Sequence, residues 1–226
     1  MLRLLLTTVA VAVASGLLLA NEVRGQDKAG CPKDSTVLTQ TGSTAVVRRG
    51  SRGVVACSRH SPASVVLTEE YFERLFLGPA LAVKRNRVAY AVVFFDDPDE
   101  AFETTSVFQV DMDRKTTDGT TVDNPIEYAA GPLGSNVRVT RIVLRSDGAM
   151  AWIACSSHHF PPAARVSRGG ECTGPGRRSY VITVSATGRR RQVTSGVTVD
   201  PQYLRLASGG IVLFRISGQR RSTRLF

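Results

Sequence analysis

From Thr36 onward the chain runs in short stretches rich in Val, Ile and Leu, broken by Gly, Ser, Asp and Asn. Stretches of that length and composition, punctuated by turn residues, predict β-strands. The clearest unit is Arg141–Cys155. Ile142, Val143 and Leu144 enter a turn at Ser146-Asp147-Gly148, and Ala149–Ala154 leave it, carrying the one tryptophan, Trp152. Asp-Gly between apolar runs is a strong hairpin signal, because Gly accepts positive φ and Asp tolerates it. Further strands are predicted over Thr44–Arg48, Val54–Cys57, Val65–Leu67, Leu81–Val83, Val88–Phe95, Ser106–Met112, Ser179–Ser185, Leu204–Leu206, Ile211–Ile216 and Arg221–Phe226. One helical turn is predicted from Thr68 to Leu75, with Thr68 as its cap and Glu69 and Glu70 at its positive end. Residues 113–124 read as a polar connection, and Pro125–Asn136 as irregular chain.

The hairpins share a register. Tyr90, Trp152 and Phe214 each stand four residues after their turn, and the two intervals between them are both 62 residues. Eight residues before each aromatic lies an apolar residue: Ala82, Leu144 and Leu206. A shorter first copy places Cys57 where the others carry an aromatic. Val110 and Val184 mark a following strand in two copies. An internal period with atypical ends signals a repeat architecture. Repeated antiparallel units predict an all-β, β-propeller-like fold, small or incomplete, with three to four blades. A β-sandwich built from the same hairpins is the alternative.

Ahead of these strands the chain begins Met1-Leu2-Arg3, and Leu4–Ala20 carries no charge. A short basic start, an apolar run and a polar flank predict a secretory signal peptide over residues 1–25, cut before Gln26, with Ala20 as a second cut site. An uncleaved N-terminal membrane anchor is the alternative. Residues 26–35 then form a linker, and 36–226 a single domain. All four cysteines, Cys31, Cys57, Cys155 and Cys172, lie beyond the signal. In an exported chain an even count implies disulfides. Of the three possible connectivities, the local one is expected: Cys31–Cys57 and Cys155–Cys172.

The sequence offers little catalytic chemistry. No G-x-S-x-G, H-E-x-x-H, phosphate loop or G-x-G-x-x-G occurs. His158 and His159 are adjacent and point to opposite sides of an extended chain, so with His60 they make a poor metal site. The acidic run Asp96, Asp97, Asp99, Glu100 and Glu103 reads as a solvated loop. No catalytic residue, metal or cofactor is expected.

Charge changes the picture more. The chain carries +10 overall, and residues 165–226 hold twelve arginines against Glu171 and Asp200. A one-signed field attracts polyanions. Arg177, Arg178, Arg189, Arg190, Arg191, Arg220 and Arg221 are the candidate anion-binding residues. The expected partner is an anionic envelope polymer or lipid surface. Nucleic acid is disfavoured, because this third has few aromatics for stacking and export removes the usual target.

The pieces Arg87–Tyr90 (RVAY), Asp147–Ala154 (DGAMAWIA) and Leu204–Phe214 (LRLASGGIVLF) resemble those of secreted bacterial β-propeller-like proteins of the TolB/WD40-like repeat class. The resemblance covers residues 36–226 and implies a repeat domain of the cell exterior, with no catalytic residue carried over. The reading is thus an exported binding or scaffold module. A secreted hydrolase with its site at a propeller mouth and a structural subunit of an envelope assembly are the alternatives.

Overall fold

The computed structural model describes residues 30–50, 53–68, 73–75, 80–95, 103–114, 125–131, 137–156, 178–194 and 199–225. The fold is all-β, with four antiparallel sheets following one another along the chain. Sheet 1 comprises β1 (Thr36–Gln40), β2 (Thr44–Arg48), β3 (Val54–Ser58) and β4 (Ser64–Thr68). Sheet 2 has β5 (Glu73–Leu75) and β6 (Leu81–Lys84) along one side of β7 (Arg87–Phe95). Its strands β8 (Glu103–Asp111) and β9 (Ile126–Ala129) follow on the other side. Sheet 3 comprises β10 (Val137–Leu144), β11 (Met150–Ser156), β12 (Arg178–Val184) and β13 (Arg190–Gln192). Sheet 4 comprises β14 (Val199–Ala207), β15 (Ile211–Ile216) and β16 (Gln219–Arg224).

Three apolar layers join successive sheets. Val46, Val54, Ala56 and Leu67 of sheet 1 meet Val88, Tyr90, Val92 and Val110 of sheet 2. Ala89, Ala91 and Val107 of sheet 2 meet Ile142, Leu144, Met150, Trp152, Ile182 and Val184 of sheet 3. Ala149, Ala151, Ile153 and Val181 of sheet 3 meet Leu204, Val212 and Phe214 of sheet 4. Sheets 2 and 3 are therefore apolar on both faces, which is why β7 and β11 read as continuous hydrophobic runs.

The repeated aromatics take equivalent places. Tyr90, Trp152 and Phe214 all lie on the second long strand of their hairpin, and each packs into the layer shared with the preceding sheet. Burying one such side chain is worth about 1.5–3 kcal/mol. Their partners across the hairpin are Leu81, Ile142 and Leu204. The pairing of Ala82 with Leu144 and Leu206 is thus corrected. The turn after β6 is Arg85-Asn86, shorter than the others, and a one-residue change flips a side chain to the other face. Ala82 packs into the layer toward sheet 3, whereas Leu81 and Val83 share the layer of Tyr90.

Cys57, which the sequence register groups with those aromatics, does not share their place. It lies on β3, the third strand of sheet 1, beyond a turn at the opposite end from Arg85-Asn86, and faces the side of sheet 1 opposite sheet 2, with Ala45, Val47 and Val55. Cys31 packs there and is bonded to Cys57, with Cα atoms 5.0 Å apart. The expected first disulfide is formed, and it lies where a preceding sheet would otherwise sit. Gly30 beside it has φ +84°, and a Cβ there would meet the carbonyl oxygens of Ser61 and Ala63 at 2.5 and 2.7 Å. The chain approaches that turn as closely as only glycine permits. Cys155 is also disulfide-bonded. Cys172, its expected partner, lies outside the described residues.

Other elements differ from expectation. Glu73–Leu75 is a strand paired with Val92–Phe94, and Thr68 ends β4, so the predicted helical turn is replaced in its described part. Pairing with β7 outweighs the local capping signal, since propensity is a weak prior. Ile126–Ala129, within the stretch read as irregular, pairs with Ser106–Gln109. Residues 1–25, the acidic residues 96–100 and the pair His158-His159 lie outside the described residues. Among the described residues, no helix is long and apolar enough to cross a membrane.

Candidate anion-binding surface

The strand directions sort the connections to two ends. Short turns at Gly42-Ser43, Arg85-Asn86, Ser146–Gly148 and Ser208–Gly210 lie at one end. They interlock: Thr41 Oγ1 donates to the Arg85 carbonyl at 2.7 Å, and Gln109 Nε2 donates to the Gly148 carbonyl at 3.0 Å. A groove of about 620 Å³ there is lined by Thr41, Ser43, His60, Lys84, Arg85 and Ser146. His60 Nε2 lies 3.0 Å from the Gly42 carbonyl. No group of three metal-ligating side chains occurs among the described residues.

The candidate arginines fall at two sheet edges. Arg178 is exposed at the start of β12, and Arg177 lies outside the described residues. Arg189, Arg190 and Arg191 lie at the outer edge of sheet 3 and line a groove of about 430 Å³ with Thr183, Val184 and Ser185. Arg190 reaches back to sheet 2, donating from Nε to the Ala129 carbonyl at 3.1 Å and from Nη2 to the Gly131 carbonyl at 2.9 Å. Partial burial lowers its guanidinium pKa from the usual value. Arg190 therefore ties two sheets together as well as adding charge. Arg220 and Arg221 lie on β16, the edge of sheet 4, where Arg221 Nη2 donates to Gln219 Oε1 at 3.0 Å.

A larger basic surface emerges from the alternation of sheet 4. Leu204, Leu206, Val212 and Phe214 point toward sheet 3. Successive strand residues point to opposite faces. The other face therefore carries Tyr203 and Arg205 on β14, Ile211, Leu213 and Arg215 on β15, and Arg220, Ser222 and Arg224 on β16. Over Tyr203–Arg224 it holds four arginines and no acidic residue; Asp200 lies in the register shift of β14. Ile211 is 37% exposed, so this face is open to solvent. The guanidinium carbons of Arg215 and Arg205 lie 4.2 and 5.3 Å from the Tyr203 ring centroid. Such contacts hold a guanidinium in place at about 0.5–1 kcal/mol where solvent-exposed.

Arg215 and Arg220 are direct partners across β15 and β16. Like charges directly opposite on a sheet are destabilising. A bound anion bridging the two would remove that cost and make charge-assisted hydrogen bonds. Arg205, Arg215 and Arg224 join the predicted Arg220 on this face; Arg221 is on the other. The missed signal was the period-two complement of Leu204, Leu206, Val212 and Phe214.

No protein-family model matches this chain, and no curated protein matches it. Among solved structures it is similar to the endo-arabinase from Bacteroides thetaiotaomicron VPI-5482. Identity is 10%, the match covers 84% of this chain and 72% of that chain, and the TM-score is 0.38.

Proposed function

We propose that this protein is an exported, non-catalytic binding module whose arginine-rich last third contacts an anionic component of the cell envelope, either a polymer or a lipid surface. The observation that carries this reading is the open face of sheet 4, with Arg205, Arg215, Arg220 and Arg224 and no carboxylate between Tyr203 and Arg224. Arg178, Arg189 and Arg191 extend the basic surface along sheet 3, and Arg177 belongs with them by sequence. Residues 1–25 serve as the export signal, and the Cys31–Cys57 disulfide suits an oxidising compartment.

The architecture we propose is a small, incomplete β-propeller of four antiparallel blades within residues 36–226. Three features support it: meandering strand order, stacking of successive sheets, and the placing of Tyr90, Trp152 and Phe214 on the second strand of the hairpins of sheets 2, 3 and 4, each turned toward the preceding sheet. A sandwich would place the four sheets in two layers.

The test is binding of a labelled polyanion, such as inorganic polyphosphate, and of vesicles with and without anionic lipid. Binding is expected to weaken steeply between about 0.01 M and 0.15 M salt, as screening shortens the reach of exposed charges. Charge reversal at Arg205→Glu and Arg215→Glu should abolish it. Salt-independent binding, or no binding to any anionic surface, overturns the reading.

A further inference from the structure

Among the described residues, sheets 1 and 3 have four strands and sheet 2 has five, whereas sheet 4 has three. Its last strand, β16, is an edge of unusual regularity. Six consecutive residues pair with β15 without a register shift, and the hairpin turns tightly at Ser217-Gly218, both at positive φ. Edge strands are ordinarily blunted by shortness, bulges, proline or charged side chains. β16 has only the last, its three arginines, all of one sign.

The direction of its backbone groups follows from one bond. Leu225 N–H donates to the Gly210 carbonyl at 2.8 Å, on the β15 side. Backbone groups alternate sides along a strand, so Gln219, Arg221 and Thr223 also bond toward β15. Arg220, Ser222 and Arg224 then present their N–H and C=O groups outward. Three residues with outward donors and acceptors form a ready template for an added strand.

The side chains state what that strand must carry. Arg220 and Arg224 lie on the open face of sheet 4, and Arg221 lies on the other. An incoming antiparallel strand would meet Arg224, Arg221 and Arg220 at its positions i, i+3 and i+4. We propose that β16 accepts a fourth strand from a protein partner: an extended segment with acidic side chains at that spacing and a small or polar residue opposite Ser222. This site uses the backbone edge of sheet 4 and shares Arg220 and Arg224 with the polyanion-binding face, so readouts on the backbone of β16 separate the two.

The test uses the full secreted-length chain and a labelled synthetic peptide, Thr-Glu-Val-Thr-Glu-Glu-Val-Thr. Controls replace its three glutamates by lysine, or its central threonine by proline. The expected results are binding of the acidic peptide alone, and slowed hydrogen exchange at the amides of Arg220, Ser222 and Arg224. Ser222→Pro removes an outward N–H and leaves the β15 ladder intact, since proline is tolerated where an edge N–H faces solvent. It should weaken peptide binding at least about tenfold while the far-ultraviolet circular dichroism of the chain stays that of wild type. Arg220→Glu with Arg224→Glu should weaken peptide binding similarly. Equal peptide affinity for wild type and Ser222→Pro, protection away from β16, equal binding of the proline-containing peptide, or no peptide binding each overturns the proposal. So does concentration-dependent dimerisation that protects the same amides without peptide. Because exchange protection is read on the wild-type chain, the proposal remains testable if Ser222→Pro fails to fold. Peptide binding without polyphosphate binding would refute the face reading and leave this one standing.

Discussion

Trp152 donates its indole N–H to the carbonyl of Ala130 at 2.7 Å, across the boundary between sheets 3 and 2. Both residues are fully buried. The bond gives the apolar layer between these sheets a fixed alignment, because the carbonyl lies just past the end of β9. The single tryptophan is therefore a structural residue.

Trp152→Phe keeps most of the apolar contact and removes the donor. Leaving the Ala130 carbonyl without it should cost about 1–3 kcal/mol. Thermal denaturation should show a fall of about 2–4 °C for each kcal/mol lost, with polyanion binding at low temperature unchanged.

Gly148 closes the Asp147-Gly148 turn at φ +96°, and a Cβ there would lie 2.6 Å from both Arg87 Nη1 and Gln109 Nε2. Gly148→Ala should therefore destabilise by more than the conformational penalty of about 1 kcal/mol alone. The comparison with Gly209→Ala isolates the contact. Gly209 also has positive φ, but no atom lies within 4 Å of its would-be Cβ. Chemical denaturation of the two variants should rank Gly148→Ala as clearly the worse.

The Cys31–Cys57 disulfide spans 26 residues. Loop closure of that length is worth about 3.5 kcal/mol. Replacing both cysteines by alanine should lower the denaturation midpoint accordingly and open the Val47–Val55 face of sheet 1. Binding of a hydrophobic dye to the double variant would report that exposure.

Tyr128 packs against Trp152, with ring centroids 6.5 Å apart, and burial raises its phenol pKa. The folded chain holds this proton more tightly than the unfolded chain, whose tyrosines ionise near pH 10. The stabilisation is complete below about pH 10 and is lost as pH rises through the folded-state value. Wild type should lose stability more steeply above that pH than Tyr128→Phe, and one of the five tyrosines should ionise late in ultraviolet titration.

Much of the fold was legible because strand alternation and turn residues are local. The 62-residue spacing of Tyr90, Trp152 and Phe214 survived since each occupies one geometric place. Ala82 was misassigned because a turn one residue shorter changes which face a side chain takes. Glu73–Leu75 and Ile126–Ala129 were hidden, since both are strands by virtue of a neighbour supplied from elsewhere in the chain. The basic third was visible as composition. Its division into an open face, a sheet-tying Arg190 and an arginine edge required knowing which side of each strand meets sheet 3.

The layering also bears on the order in which structure can form. Tyr90, Trp152 and Phe214 each pack toward the sheet that precedes their own, and the Cys31–Cys57 bond closes the opposite face of the first sheet covalently. As the chain emerges from its amino end, every new hairpin meets a finished template and waits for nothing still to be made. Strand pairing confined to neighbours keeps loop closures short, which favours rapid folding. The sheets can assemble in the order of their synthesis, and β16 is the last edge to appear.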